Sequence, residues 1–166
     1  MKDINVQNTQ TYILDVPATP WADCTAAVTA ILAGKKIGCT QALGDLVRTR
    51  AITEYSCIDS NSSSKAAGVI SYSDFDIEML FDPEDTAGQG ALLTAFNDNK
   101  PIIFAYESPD IDTSVGTTGA SGTIVWTNAV LSGDAISYSK DGKVGYKVTV
   151  SPYGGFSICK AVAGHA

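Results

Sequence analysis

Three acids at alternate positions, Asp74, Asp76 and Glu78, are the residues of this chain whose spacing most invites chemistry. Such a row suggests a divalent-metal site or a general acid/base pair. Alternate residues of a strand point the same way about 7 Å apart, too far for one ion unless other segments contribute ligands. The one histidine, His165, lies next to the C-terminus, and no G-x-S-x-G or zincin word is present. We therefore expect no catalytic residue, no metal and no cofactor. A solvated sheet face is the plainer account of the row, although like charges in line repel unless basic residues across the sheet relieve them.

Other candidates give way to plainer readings. Cys24, Cys39, Cys57 and Cys159 are even in number but lack C-x-x-C spacing, which argues against a zinc site. They read as reduced thiols of an intracellular chain. Lys35 and Lys36 sit in AGKKIGCTQALGDL, yet the phosphate-loop word G-x-x-x-x-G-K-[ST] is not there. Trp21, Trp126 and Tyr146 could form a sugar platform; such aromatics more often belong to a core.

The chain has 166 residues, 45% of them hydrophobic and 17% charged, a composition that folds rather than staying disordered. By length it is a single domain over 1–166. A net charge of −7 argues against gripping phosphates or an anionic membrane. The segment between Glu54 and Asp85, where Lys65 is the one base, by itself carries a charge equal to that of the whole chain. The N-terminus has no apolar core after its lysine, so it does not read as a secretory signal, and no apolar run approaches a membrane span.

The elements that must position these residues follow from periodicity. Residues 1–20 read as an N-terminal arm with one short strand at Tyr12–Leu14. Residues 21–32 fit helix or strand, and the β-branched residues favour strand. Residues 33–46 read as a long surface loop. A strand over 47–58 is expected to pair, through a serine-rich tip, with the acidic strand, placing Arg50 near Glu78 and Glu54 near Asp74. That strand buries Phe75, Ile77 and Met79 and leaves the acids on the other face. Asp82 as N-cap and Pro83 as first residue predict a helix over 83–97, with Gly88 permitting close approach to a sheet. Strands follow at 101–106 and 123–131, separated by a polar loop. A hairpin turning at Lys140–Lys143 then places Val144, Tyr146, Val148 and Val150 on one face. Residues 157–166 read as a C-terminal tail. The fold class is mostly β, a sandwich- or barrel-like pair of packed antiparallel sheets with one flanking helix.

An extended strand running into FDPEDTAGQGAL, followed by a hydrophobic strand from Pro101, resembles the tail tube (major tail) proteins of long-tailed, non-contractile bacteriophages. The stretches Gly122–Gly133, GTIVWTNAVLSG, and Asp141–Phe156, DGKVGYKVTVSPYGGF, are similar to that family too. The resemblance spans roughly Arg48 to Phe156. It implies a structural virion protein, assembled in the host bacterial cytoplasm, whose hexameric rings stack into a hollow tube. DNA passes transiently through that tube, and tape-measure and tail-tip proteins are the further partners. Under the resemblance, the 33–46 loop with Lys35 and Lys36 would stack on the next ring, and Arg48 and Arg50 would meet a neighbouring subunit. The face carrying Asp74, Asp76 and Glu78 would line the lumen and repel DNA. The reading from another class is a stand-alone β-sandwich that binds carbohydrate or protein; self-assembly separates the two.

Overall fold

The computed structural model describes residues 8–56, 63–111, 119–138 and 142–163. In order these form β1 (Gln10–Asp15), α1 (Cys24–Leu32), β2 (Lys35–Ile37), β3 (Thr40–Leu43), β4 (Arg48–Ser56) and β5 (Ser63–Tyr72). They continue with β6 (Phe75–Leu80), α2 (Gln89–Asn97), β7 (Ile102–Glu107), β8 (Ile124–Tyr138) and β9 (Val144–Cys159). The chain is mostly β, with two antiparallel sheets and two short helices. One sheet has seven strands in the order β2-β1-β7-β8-β9-β6-β3; the other is the β4–β5 hairpin alone.

The two ends of the seven-stranded order are neighbours in sequence. Only Gly38 and Cys39 separate β2 from β3, so one bent strand pairs with β1 by its first half and with β6 by its second. The Thr11 and Thr40 hydroxyls hydrogen-bond across this seam at 2.8 Å. The sheet thereby curls back on itself, which removes the exposed edges that β2 and β3 would otherwise present. Cys39 takes the turn with φ of 53°.

Burial follows the period of two. Phe75, Ile77 and Met79 of β6 face Tyr146, Val148 and Val150 of β9, joined by Ile13, Ile102 and Phe104 in the principal core. Leu92 and Ala95, three apart on α2, dock into the same core. The opposite face of β1, β7 and β8 carries a smaller cluster of Tyr12, Ala105 and Ile124, which α1 covers with Ile31 and Val28. Trp21 and Trp126 meet edge to face there at 4.9 Å, so they pack as core aromatics.

Several expectations are corrected. Residues 24–32 are helix, because Asp23 accepts a hydrogen bond from the Ala26 amide and caps an alanine-rich turn. The Tyr12–Leu14 strand is no arm: β1 is flanked on both sides, by β2 and β7. The 33–46 loop is β2 and β3, which the sheet needs for closure. The partner of β4 is β5, not the acidic strand, so Arg50 faces Ile70 and Glu54 faces Lys65; Glu78 instead pairs with Lys147 of β9. The helix begins at Gln89, not at Pro83. Residues 157–159 still belong to β9, and Cys159 is bonded to Cys24 with Cα atoms 5.5 Å apart, fixing the start of α1 to the end of β9. Cys39 is free and exposed. Cys57, most of the serine-rich tip and His165 lie outside the described residues.

Candidate assembly surfaces

The sequence FDPEDTAGQG does structural work at the seam. Asp85 accepts hydrogen bonds from Gly88 N (2.7 Å), Gly38 N (3.2 Å) and Gln89 N (3.2 Å), tying the β2–β3 turn to the start of α2. Burial alone would raise the Asp85 carboxyl; the amides of Gly88, Gly38 and Gln89 outweigh it and hold it below the usual carboxylate range. The buried Gln89 side chain donates to Leu80 O at 2.6 Å and accepts from Asp82 N at 3.0 Å. A Cβ on Gly88 would meet the backbone of Lys36 and Ile37, so the expected close approach of helix to sheet is present. Asp82, expected as N-cap, accepts instead from Glu84 N in the preceding turn.

Asp76 and Glu78 occupy the face of β6 away from the core, whereas Asp74, expected on the same strand, lies just before it in the β5–β6 connection. Asp74 and Glu78 are exposed and Asp76 is half-buried. Asp76 is not an isolated negative charge: its carboxylate pairs with Lys147 Nζ at 2.6 Å and accepts from the Thr149 hydroxyl at 2.7 Å. These two donors, Lys147 foremost, hold Asp76 below the usual range, and Asp76 raises Lys147 in return. Across this part of the sheet, β9 therefore supplies the basic relief that the sequence demanded.

The four basic candidates fall on two separate elements. Lys35 and Lys36 are exposed on β2, opposite Ile13 and Tyr12 of β1. Arg48 and Arg50 are exposed on β4. The Arg48 guanidinium stacks over the Phe156 ring, 4.8 Å from its centroid, and anchors the hairpin base to β9.

The hairpin itself was missed as a site. Every residue of β4 and β5 except Tyr72 is exposed, including Val69 at 83% and Ile52 at 66%. A lone two-stranded ribbon is at best marginally stable in water, and contiguous exposed apolar side chains mark interaction surfaces. The long strands β8 and β9 are also incompletely flanked. β7 pairs with β8 only as far as Ala129, and β6 pairs with β9 only as far as Val150. Among the described residues no strand covers those sides of Ser132–Tyr138 or of the β9 stretch beyond Val150. Charge pattern revealed the acids; a ribbon with neither face buried has no period to reveal it.

No protein-family model matches the sequence, and neither does any curated protein. Solved structures do match in shape. A chain of the native gene transfer agent virion superposes with a TM-score of 0.59 at 16% identity, over 93% of this chain and 98% of the other. A chain in the anti-feeding prophage baseplate, 6-fold symmetrised, gives 0.60 at 10% identity over 96% and 98%. A chain in the tail of an empty gene transfer agent particle, refined with C6 symmetry, gives 0.54 at 17% over 76% and 86%. The fold is shared with chains of tail and baseplate particles. At these identities the likeness concerns the fold.

Proposed function

We propose that this protein is a tail tube subunit, of the kind found in long-tailed, non-contractile phages, which assembles side by side into hexameric rings that stack into a hollow tube for DNA. The observation that carries this is an exposed apolar hairpin on a fold shared with tail and baseplate chains. A monomer gains nothing from such a ribbon; a ring covers it with the next copy. The open sides of β8 and β9 supply further strand edges for neighbours. Arg48 and Arg50 belong to this lateral contact, and Lys35 and Lys36 to the stacking contact between rings. Tape-measure and tail-tip proteins complete the partners, and the protein resides in the virion tail after assembly in the host cytoplasm. The Cys24–Cys159 bond suits a particle that leaves that reducing compartment.

Asp74, Asp76 and Glu78 line the lumen in this reading. Asp76 and Glu78 lie on a bare sheet face, with the core and α2 on the other side, and Asp74 directly precedes that strand. With Lys147 engaged by Asp76, the lining stays weakly negative, which keeps DNA from adhering as basic residues would through counterion release. Electron microscopy of the concentrated protein tests the assembly. The baseplate match favours one second reading, a single ring at the end of a tube; such a subunit forms closed rings and does not extend into tubes.

A further inference from the structure

Beside the start of α2 lies a cleft of about 220 Å³ between Phe81, Leu93, Ile136 and Tyr146, with Asp134 at its side. Small-molecule pockets usually run from about 300 to 1,000 Å³, so this one has the scale of a single side chain. Its walls are apolar, and Phe81, Leu93 and Ile136 are each more than a third exposed. Its charged groups are all carboxylates, Asp82, Asp85 and Asp134, with no basic residue in the lining. Tyr146 is only 4% exposed, and its hydroxyl oxygen is buried without a hydrogen-bond partner. Burial first, then the charge of the Asp134 carboxylate and a hydrogen bond toward it, push the phenol up to about 12, although that bond falls short of ordinary geometry and leaves the hydroxyl poorly matched. A buried polar atom left unmatched is costly, and an uncovered apolar slot beside a carboxylate suits one chemistry: an aliphatic stem ending in a cation.

We infer that this cleft is the receptor for a basic side chain of a second copy of the chain, supplied by Arg50 of its β4–β5 hairpin. The inference rests on the assembly reading and names the surface that the hairpin meets. Charge complementarity selects the donor. Arg50 is exposed, opposite Ile70 on the ribbon and two residues from the exposed Ile52, so the ribbon offers the cation and apolar area the cleft lacks. The other described basic residues fit less well. Lys100 and Lys147 are paired with Asp15 and Asp76, Arg48 is stacked on Phe156, Lys65 faces Glu54, Lys143 is engaged within its own subunit, and Lys160 follows the end of β9, away from the ribbon. Lys35 and Lys36 sit on β2 with no exposed ribbon around them. At about 3.3 Å per residue, a nine-residue strand extends roughly 30 Å, long enough to reach a neighbour.

The test uses the full chain with Asp134→Arg, Arg50→Asp and the double exchange, each checked for an unchanged far-ultraviolet spectrum and melt. Both sites are exposed, so the free subunits should fold normally. Each single variant should raise the protein concentration at which rings or tubes form by at least about thirtyfold, the scale of breaking a buried charge contact, and the exchange should recover most of it. Tyr146→Phe should leave the melt unchanged or slightly higher while weakening assembly several-fold, an opposition that a merely structural tyrosine would not produce. If Asp134→Arg assembles like the wild type, or the exchange restores nothing, the receptor is wrong while the assembly reading stands. If the wild type forms no oligomer under any condition, both fall together.

Discussion

Replacing Asp85 by alanine removes the acceptor for three backbone amides, those of Gly38, Gly88 and Gln89, at the point where the sheet closes. The N-cap of α2 is Gly88, but Asp85 serves the first helix amides as a capping acid does, a role worth about 0.5–2 kcal/mol against alanine. The Gly38 amide loses a charge-assisted bond that water replaces only in part, about 1 kcal/mol more. The expected loss is roughly 1.5–3 kcal/mol, which for a chain of this size lowers the melting temperature by about 3–12 °C. The carboxyl is depressed in the folded state, which fixes the sign of the pH dependence. Its contribution is complete above the unfolded value of about 3.9 and is lost as pH falls through the lower folded value. Thermal melts followed by circular dichroism at neutral pH and below pH 4 should therefore show the variant and wild type converging in acid. Asp82→Ala, which removes one bond in an adjoining turn, should cost no more than about 1 kcal/mol. Equal losses for Asp82→Ala and Asp85→Ala, or an Asp85→Ala deficit that persists in acid, would refute the seam argument.

Three further outcomes are expected. Reducing the Cys24–Cys159 bond, which closes a loop of sequence separation 135, should destabilise the subunit by up to roughly 5 kcal/mol in the chain-entropy account; melts with and without reductant measure it, and no shift means the bond is not formed. Val69→Asp on the exposed hairpin should change free-subunit stability by less than about 0.5 kcal/mol yet abolish assembly seen by sedimentation; normal assembly would remove the hairpin from the interface. Lysine at 74, 76 and 78 together should leave subunits folded but slow genome delivery, scored by DNA-release assays on particles; side chains found on the outer wall of an assembled tube would contradict the lumen placement.

Sequence made legible those elements in which one face is buried. The alternation of Phe75, Ile77 and Met79, and that of Tyr146, Val148 and Val150, predicted β6 and β9 because burial on one side imposes the period. Of the expected turn at 140–143, Gly142 takes φ of 76°, while Lys140 and Asp141 lie outside the described residues. Segment 66–72 reads as one strand with the acidic residues that follow it, because SSKAAGVISY is exposed on both faces and carries no alternation to set it apart as β5. β2 and β3 looked like loop because they are three and four residues long and owe their strand state to β1 and β6. α1 reads as strand from the β-branched Thr25, Val28, Thr29 and Ile31 and from the family resemblance, although Asp23 stands in cap position and Ala27 and Ile31 at helical spacing. Among the candidate residues, sequence located the acidic row and the basic pairs. It could not show that Lys147 neutralises Asp76, since residues 71 positions apart in the chain meet only through the fold.

The central claim is self-assembly, and electron microscopy of the purified wild-type protein across a concentration series tests it most directly. The account predicts rings of six subunits that stack into hollow tubes, with the β4–β5 hairpin buried between copies. A protein that stays a monodisperse monomer at the highest concentration, even when seeded with tail-end complexes, would contradict it.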